Sequence, residues 1–143
     1  MKIAIGCDHA GIDYKEAIKH HLLTTLNPQI IDVGTFSTES VDYPDFGKKV
    51  GETVASGEAN KGIVICGTGI GISIAANKVN GIRAALCYDL YTATMARQHN
   101  DANVLALGAR TTPIDVAYTL IDTFFSTPFE GGRHQQRVNK LSV

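Results

Sequence analysis

Short apolar runs and amphipathic, helix-spaced segments take turns along this chain five times, and that alternation restricts the fold more than any other feature. Lys2–Cys7 is an apolar run that stops at Asp8-His9-Ala10-Gly11. Tyr14, Ala17, Ile18 and Leu22 then recur at helical spacing, opposite Lys15, Glu16 and Lys19. Gln29–Val33 reads as a second strand closed by Gly34, and Thr35–Pro44 as a polar loop long enough to carry a function. Asp45–Ser56 shows a second helical pattern through Phe46, Val50 and Val54. Gly62–Cys66 is the third strand, followed by a helix from Gly69 to Lys78. Ile82–Cys87 is the fourth, with Asp89 as N-cap of a helix through Arg97. Asn103–Leu107 is the fifth, and Thr112-Pro113 opens the next helix with proline at its first position. Glu130-Gly131-Gly132 breaks the chain before a short basic segment, Arg133–Lys140.

Such alternation predicts a single-domain Rossmann-like α/β sandwich of three layers over residues 1–143, with a five-stranded parallel sheet and a short C-terminal helix. Ligands of such folds bind beyond the carboxyl ends of the strands. Here those ends carry Asp8, His9, Cys66, Tyr88, Asp89, Gly108 and Arg110. A net charge of −1 lends no bulk support to a nucleic-acid or anionic-membrane partner. The longest uncharged stretch, Gly62–Asn77, is too short and glycine-rich to span a bilayer. Only uncharged residues too few for a secretory core separate Lys2 from Asp8. Cys7, Cys66 and Cys87 are odd in number and lack any CxxC or Cys/His zinc spacing, so reduced thiols in a cytoplasmic protein are expected.

The segment Gly62-Ile63-Val64-Ile65-Cys66-Gly67-Thr68-Gly69-Ile70-Gly71-Ile72 concentrates the chemistry. It sets a thiol where a strand meets a helix N-terminus, whose amides favour an anion, a thiolate or a developing oxyanion. The glycines let a ligand approach the backbone. A dinucleotide fingerprint would need glycine or alanine where Ile72 stands, and at the first strand. A Walker A loop is absent. A Cys-x5-Arg phosphatase loop lands on Ile72 from Cys66 and on Asp13 from Cys7, and no Ser/His/Asp signature appears.

Each polar candidate has an ordinary reading beside its functional one. Cys66 could be a core thiol, but its place before the glycines marks it as a site residue. Cys7 and Cys87 are read as core. Asp8-His9 could simply cap the next helix. His99, in Gln98-His99-Asn100-Asp101, could bond the last helix carbonyls. His20 and His21 lie on a polar helix face. Arg133 and Arg137, four apart, share a helix face that is usually just solvated. Together with Arg110 and a histidine they would suit a phosphate group, which guanidinium matches bidentately.

Taken together, Gly6-Cys7-Asp8-His9-Ala10-Gly11, Asp42-Tyr43-Pro44, Ile65-Cys66-Gly67-Thr68-Gly69-Ile70-Gly71, Arg97-Gln98-His99-Asn100-Asp101, Asn103-Val104-Leu105-Ala106-Leu107-Gly108 and Glu130-Gly131-Gly132-Arg133-His134-Gln135-Gln136-Arg137 resemble the ribose-5-phosphate isomerase B family of sugar-phosphate isomerases. The resemblance covers essentially the whole chain. It implies interconversion of D-ribose 5-phosphate and D-ribulose 5-phosphate through a cis-enediolate, in the non-oxidative pentose phosphate pathway, without metal or cofactor. The family uses a cysteine or a glutamate as the base. Here Cys66 fills the cysteine position, and no carboxylate follows before Asp89.

By the same resemblance, Thr68 assists Cys66 or the intermediate, and Gly67, Gly69 and Gly71 hold the enediolate oxygen. His99 and Asp8 open the furanose ring, Tyr43 and Asn100 contact the sugar, and His9, Arg110, Arg133 and Arg137 hold the phosphate. A homodimer or dimer of dimers with shared active sites is implied. Six-carbon sugar phosphates, as in galactose-6-phosphate isomerase or an allose 6-phosphate activity, are the nearest rivals. A non-catalytic sugar-phosphate-binding module is the rival of another class, and it would need neither Cys66 nor His99.

Overall fold

The computed structural model describes residues 1–142. A single sheet of five parallel strands, β1 (Lys2–Cys7), β2 (Gln29–Gly34), β3 (Lys61–Cys66), β4 (Ala84–Leu86) and β5 (Val104–Gly108), runs in the order β2-β1-β3-β5-β4. Six helices join and flank it: α1 (Ile12–Thr24), α2 (Tyr43–Ala55), α3 (Ile70–Asn77), α4 (Leu90–Gln98), α5 (Ile114–Ser126) and α6 (Arg133–Asn139). A single 3-10 turn, His9–Gly11, sits between β1 and α1.

Successive side chains of a strand point to opposite faces, and this sorts the apolar residues into two cores. Ile3, Ile5, Ile63, Ile65, Leu105 and Leu107 face α1, α4 and α5, meeting Ile18, Leu22, Leu120 and Phe124. Ala4, Val64, Val104 and Ala106 face α2 and α3, meeting Val50, Val54, Ile72 and Ala76. Cys7 falls in the first core and Cys66 in the second. The chain steps outward from β1 to β2, then crosses back to lay β3 on the other side of β1. That reversal is the switch point at which such sheets open a crevice. No described helix is long and apolar enough to cross a membrane.

The predicted fold is the observed one, with local differences. β4 covers only Ala84–Leu86 instead of Ile82–Cys87, because it is an edge strand paired with β5 alone. Before it, the Arg83 amide bonds the Asn103 side chain, and after it the chain leaves for the capping box of Asp89 and Thr92. Helix α2 begins at Tyr43, not Asp45, since Pro44 is preorganised for a first turn. Pro113 is the N-cap of α5 in extended conformation, one residue before the position expected for it.

The helical spacing puts Lys15 on the polar face of α1, yet it is fully buried. Its Nζ donates to Asp32 Oδ1 at 2.8 Å and to the Thr35 carbonyl at 2.7 Å, and lies over the Phe36 ring. Lys19 donates to the other Asp32 oxygen at 2.9 Å. Burial pushes the Asp32 carboxyl up, but the bonds from Lys15, Lys19 and the Gly34 amide outweigh it and hold it below its usual range. This network ties α1 and β2 to the start of the 35–42 loop.

Asp32→Asn leaves the Lys15 cation buried without a counter-charge, so it is expected to cost about 3–5 kcal/mol in urea unfolding. Because the folded carboxyl titrates below its unfolded value, its stabilisation is present above the unfolded value and is lost as pH falls through the folded one. The wild type should therefore lose stability at acid pH more steeply than the variant, and parallel pH–stability curves for the two would count against the network.

Candidate active site

At the switch point the carboxyl ends of β1 and β3 lie side by side, joined by the Asp8 amide donating to the Ile65 carbonyl at 3.2 Å. Cys66 ends β3, 5% exposed, and its Sγ accepts the Gly69 amide at 3.2 Å. Gly69 is the N-cap of α3, so this amide carries the positive end of the helix. Its φ of +78° and the Leu107 carbonyl carbon, 2.8 Å from where a Cβ would stand, leave room for glycine only. The exposed Thr68 hydroxyl accepts the Ile70 amide at 3.2 Å.

Other elements bring the remaining groups to this thiol. Helix α2 packs on α3 and lays the Tyr43 ring against Gly71, where an added Cβ would meet it at 2.5 Å. The Arg110 amide bonds the Gly67 carbonyl at 2.9 Å, and the Arg110 side chain spreads over Gly67. Asp8 is nearly buried and one carboxylate oxygen accepts the Ala10 amide at 3.0 Å, so the capping role is realised while the other oxygen stays free of it. His9 Nδ1 accepts the Val41 amide at 3.1 Å, which ties the 35–42 loop to β1 and with it the approach to Tyr43. Asp8, His9, Tyr43, Cys66, Gly67, Thr68, Gly69, Gly71 and Arg110 thus form one cluster.

The other expected residues are not in it. Helix α4 starts at the carboxyl edge of the sheet and ends at the amino edge, as every crossover helix must. His99 is its C-cap, and the following turn meets the sheet where the Gly62 amide bonds the Asn103 carbonyl at 2.9 Å. The strands place this turn roughly 13 Å from Cys66, at about 3.3 Å per residue along β3. Helix α6 joins the same end through the Glu130 amide, which donates to the Gln98 carbonyl at 3.1 Å. His99, Asn100, Arg133 and Arg137 therefore form a second cluster at the amino edge, with Asn100 and both arginines exposed.

Three arginines and a histidine were expected to converge on a phosphate. Within one chain they do not: Arg110 stands at one edge of the sheet and Arg133 and Arg137 at the other. Sequence spacing names the loop a residue occupies, whereas the crossover direction decides its edge.

Two residues passed over in the sequence shape the second cluster. Arg97, 6% exposed, donates to Asp101 at 2.9 Å, to the Ala102 carbonyl at 2.6 Å and to the Thr127 carbonyl at 3.1 Å, clamping the turn that carries His99. His134, on α6, stacks on the His99 ring at 4.1 Å between centroids. Arg97 carries a signal in its position one turn before Asp101, since such pairs face each other on a helix. His134 carries none beyond its place in the basic tail. His21, by contrast, pairs with Asp122 and stacks on Tyr118 on the far side of α1.

The family model described as Ribose/Galactose Isomerase matches residues 3–141. Ribose-5-phosphate isomerase B of Escherichia coli strain K12 is 50% identical over 142 residues, spanning 99% of this chain and 95% of that protein. Among solved structures, Clostridium thermocellum ribose-5-phosphate isomerase B superposes with a TM-score of 0.95 at 57% identity, over 99% of this chain and 95% of its own. Ribose-5-phosphate isomerase B of Mycoplasma genitalium, solved with ribulose 5-phosphate bound, gives 0.91 at 42% identity over 98% and 93%.

Of the three free thiols, Cys7 and Cys87 are sealed in the core and burial pushes both up to about 11. Only the thiolate alkylates. Limited iodoacetamide treatment at neutral pH followed by peptide mass spectrometry is expected to modify Cys66 first, and initial labelling of Cys7 would contradict the site.

Proposed function

The chain belongs to the ribose/galactose isomerase family, and from that premise we propose that it interconverts D-ribose 5-phosphate and D-ribulose 5-phosphate without a metal or cofactor. The observation that carries this reading is the Cys66 sulfur at the head of α3, facing the Gly69 amide inside the glycine loop.

Ribose 5-phosphate is mostly a closed furanose, so its ring must open first. The C1–O4 bond breaks as the O1 hydroxyl loses a proton and O4 gains one, and Asp8 with His99 of the partner subunit serves those two oxygens. In the open aldose, the Cys66 thiolate removes the C2 proton while the C1 oxygen takes on negative charge. The amides of the Gly67–Gly71 loop and the Thr68 hydroxyl meet the enediolate oxygens, in the manner of an oxyanion hole. A proton passes from the C2 hydroxyl to the C1 oxygen, and the thiol returns its own proton to C1, leaving the carbonyl at C2. A positioned base of this kind contributes about 10²–10⁴-fold.

The two residue clusters lie at opposite edges of one sheet, so a complete site needs two chains arranged so that the carboxyl edge of one meets the amino edge of the other. Ile70 and Ile74 on α3, with Tyr88, Leu90 and Tyr91 at the start of α4, are exposed apolar side chains flanking the open edge of β4. An apolar surface of this kind suits a second copy. Arg110 would then face the phosphate from one chain, with Arg133 and Arg137 of the partner subunit opposite it and His9 and Tyr43 at the sugar's flank. Asn100 of the partner subunit reaches the sugar beside His99. A homodimer, alone or paired into a tetramer, is the working assembly. The free thiols suit a reducing compartment, the cytoplasm.

With chelator present, ribulose 5-phosphate formation is expected for the wild type and a fall of at least about 10²-fold for Cys66→Ala, with ribose 5-phosphate still bound. Turnover surviving in the variant would remove the base, and wild-type silence on ribose 5-phosphate but activity on allose or galactose 6-phosphate would move the substrate to six carbons. Co-refolding inactive Cys66→Ala with inactive His99→Asn tests the shared site. Half the dimers are then mixed and each holds one intact site, so about a quarter of the wild-type rate should return. No recovery would mean that each site is built within one chain.

A further inference from the structure

His99 must present its imidazole to the substrate in one orientation, and the structure shows an unusual means of holding it. The residue sits at the very end of α4, half-buried, and its backbone amide is anchored to the Met95 carbonyl at 2.9 Å. Catalytic imidazoles are ordinarily oriented by a hydrogen bond to the second ring nitrogen. Here the close contact is instead face to face. The His134 ring lies 4.1 Å from the His99 ring, tilted by only 14°.

His134 is itself well placed to act as a platform. It is 6% exposed, its amide is held by the Gly131 carbonyl at 3.0 Å, and its Nε2 lies 4.0 Å from a Glu130 carboxylate oxygen. The Glu130–Gln98 backbone bond fastens this stretch to the end of α4.

His99, Glu130 and His134 place one ligand atom each within 4.8 Å of one another, the spacing of a metal site. The stack argues otherwise. Imidazole lone pairs lie in the ring plane, so two near-parallel rings direct them side by side rather than to one point, and a tetrahedral ion needs convergence.

We infer that His134 is a positioning residue, whose ring fixes the plane of the His99 imidazole for opening the sugar ring. The inference rests on the role proposed for His99 above. Four titratable or charged groups face His134: His99 from α4, Glu130 from the preceding turn, and Arg133 and Arg137 from α6. Desolvation, then the charges of His99, Arg133 and Arg137, push the His134 ring below its usual range, against Glu130. That direction favours the neutral His134 ring in the stack. One short helix thus carries both the phosphate-binding arginines and the support for the ring-opening group.

Ribulose 5-phosphate has no furanose form, because its C2 carbonyl would need the phosphorylated O5 to close a five-membered ring. It bypasses the opening step. His134→Ala is expected to lower the initial rate on ribose 5-phosphate by about tenfold or more, the penalty of a loosened catalytic group, while the rate on ribulose 5-phosphate stays within about twofold. His134→Phe keeps the stack without the nitrogens and should restore most of the loss. Should the alanine variant not fold, His134→Gln takes its place, filling the volume without a ring. Equal losses on both sugars, no loss, or a phenylalanine variant as poor as alanine would each overturn the inference. His99→Asn run alongside keeps the two ideas apart. If it fails to separate the two sugars, the role given to His99 is what falls, whatever His134 shows.

Discussion

The parallel pairing of β1 with β3 is the contact on which the rest of this molecule depends. It runs from Ile3 opposite Lys61 to Cys7 opposite Ile65, in unbroken register. Because side chains alternate, that one register sends Ile5 and Ile63 to the core beneath α1 and α5, and Ala4 and Val64 to the core beneath α2 and α3. A slip of one residue would exchange the two sets and empty both cores. The same pairing brings Asp8 beside Cys66. It also makes the difference between the two strand-end thiols, since Cys7 points into one core and Cys66 toward the glycine turn and α3.

Around that frame the polar groups are used in two ways. The Lys15–Asp32–Lys19 network and the Arg97 clamp lie outside the two proposed site clusters, yet each pins a loop that carries proposed site residues. Lys15 holds Thr35 at the root of the loop leading to Tyr43, and Arg97 holds the turn bearing His99 and Asn100. Buried ion pairs of this sort often add little net stability over a well-packed apolar substitute. What they supply is a defined backbone path, which a loop proposed to present site residues needs more than it needs extra stability.

The division proposed for the site, between opposite edges of one sheet, has a physical logic. The carboxyl edge offers helix N-termini and exposed amides, which suit an enediolate and a thiolate. The amino edge offers helix C-termini, whose partial negative charge favours cations. A single chain cannot fold one edge onto the other across the length of its strands. In the proposed assembly two chains lay them together, and the surface around the contact would exclude water from the reacting centre.

Much of this was legible in the chain. The alternation of apolar runs and helical spacing determined the five strands, their parallel sense and the segments that form the helices. The glycines around Cys66 marked the turn that meets its sulfur, because only a backbone stripped of side chains can turn with positive φ there. Element ends drifted by a residue or two, at β4 and α2 above all, where an edge strand lacks a second partner and a proline starts a helix early. Lys15 was misread because its spacing on α1 is polar, while a carboxylate from β2 and a carbonyl from the next loop make burial possible. Tertiary structure alone decided that, and it alone decided that the two residue clusters stand at opposite edges of the sheet. Residue order says which loop His99, Arg110 and Arg137 occupy, but the direction of each crossover sets the edge to which that loop is delivered.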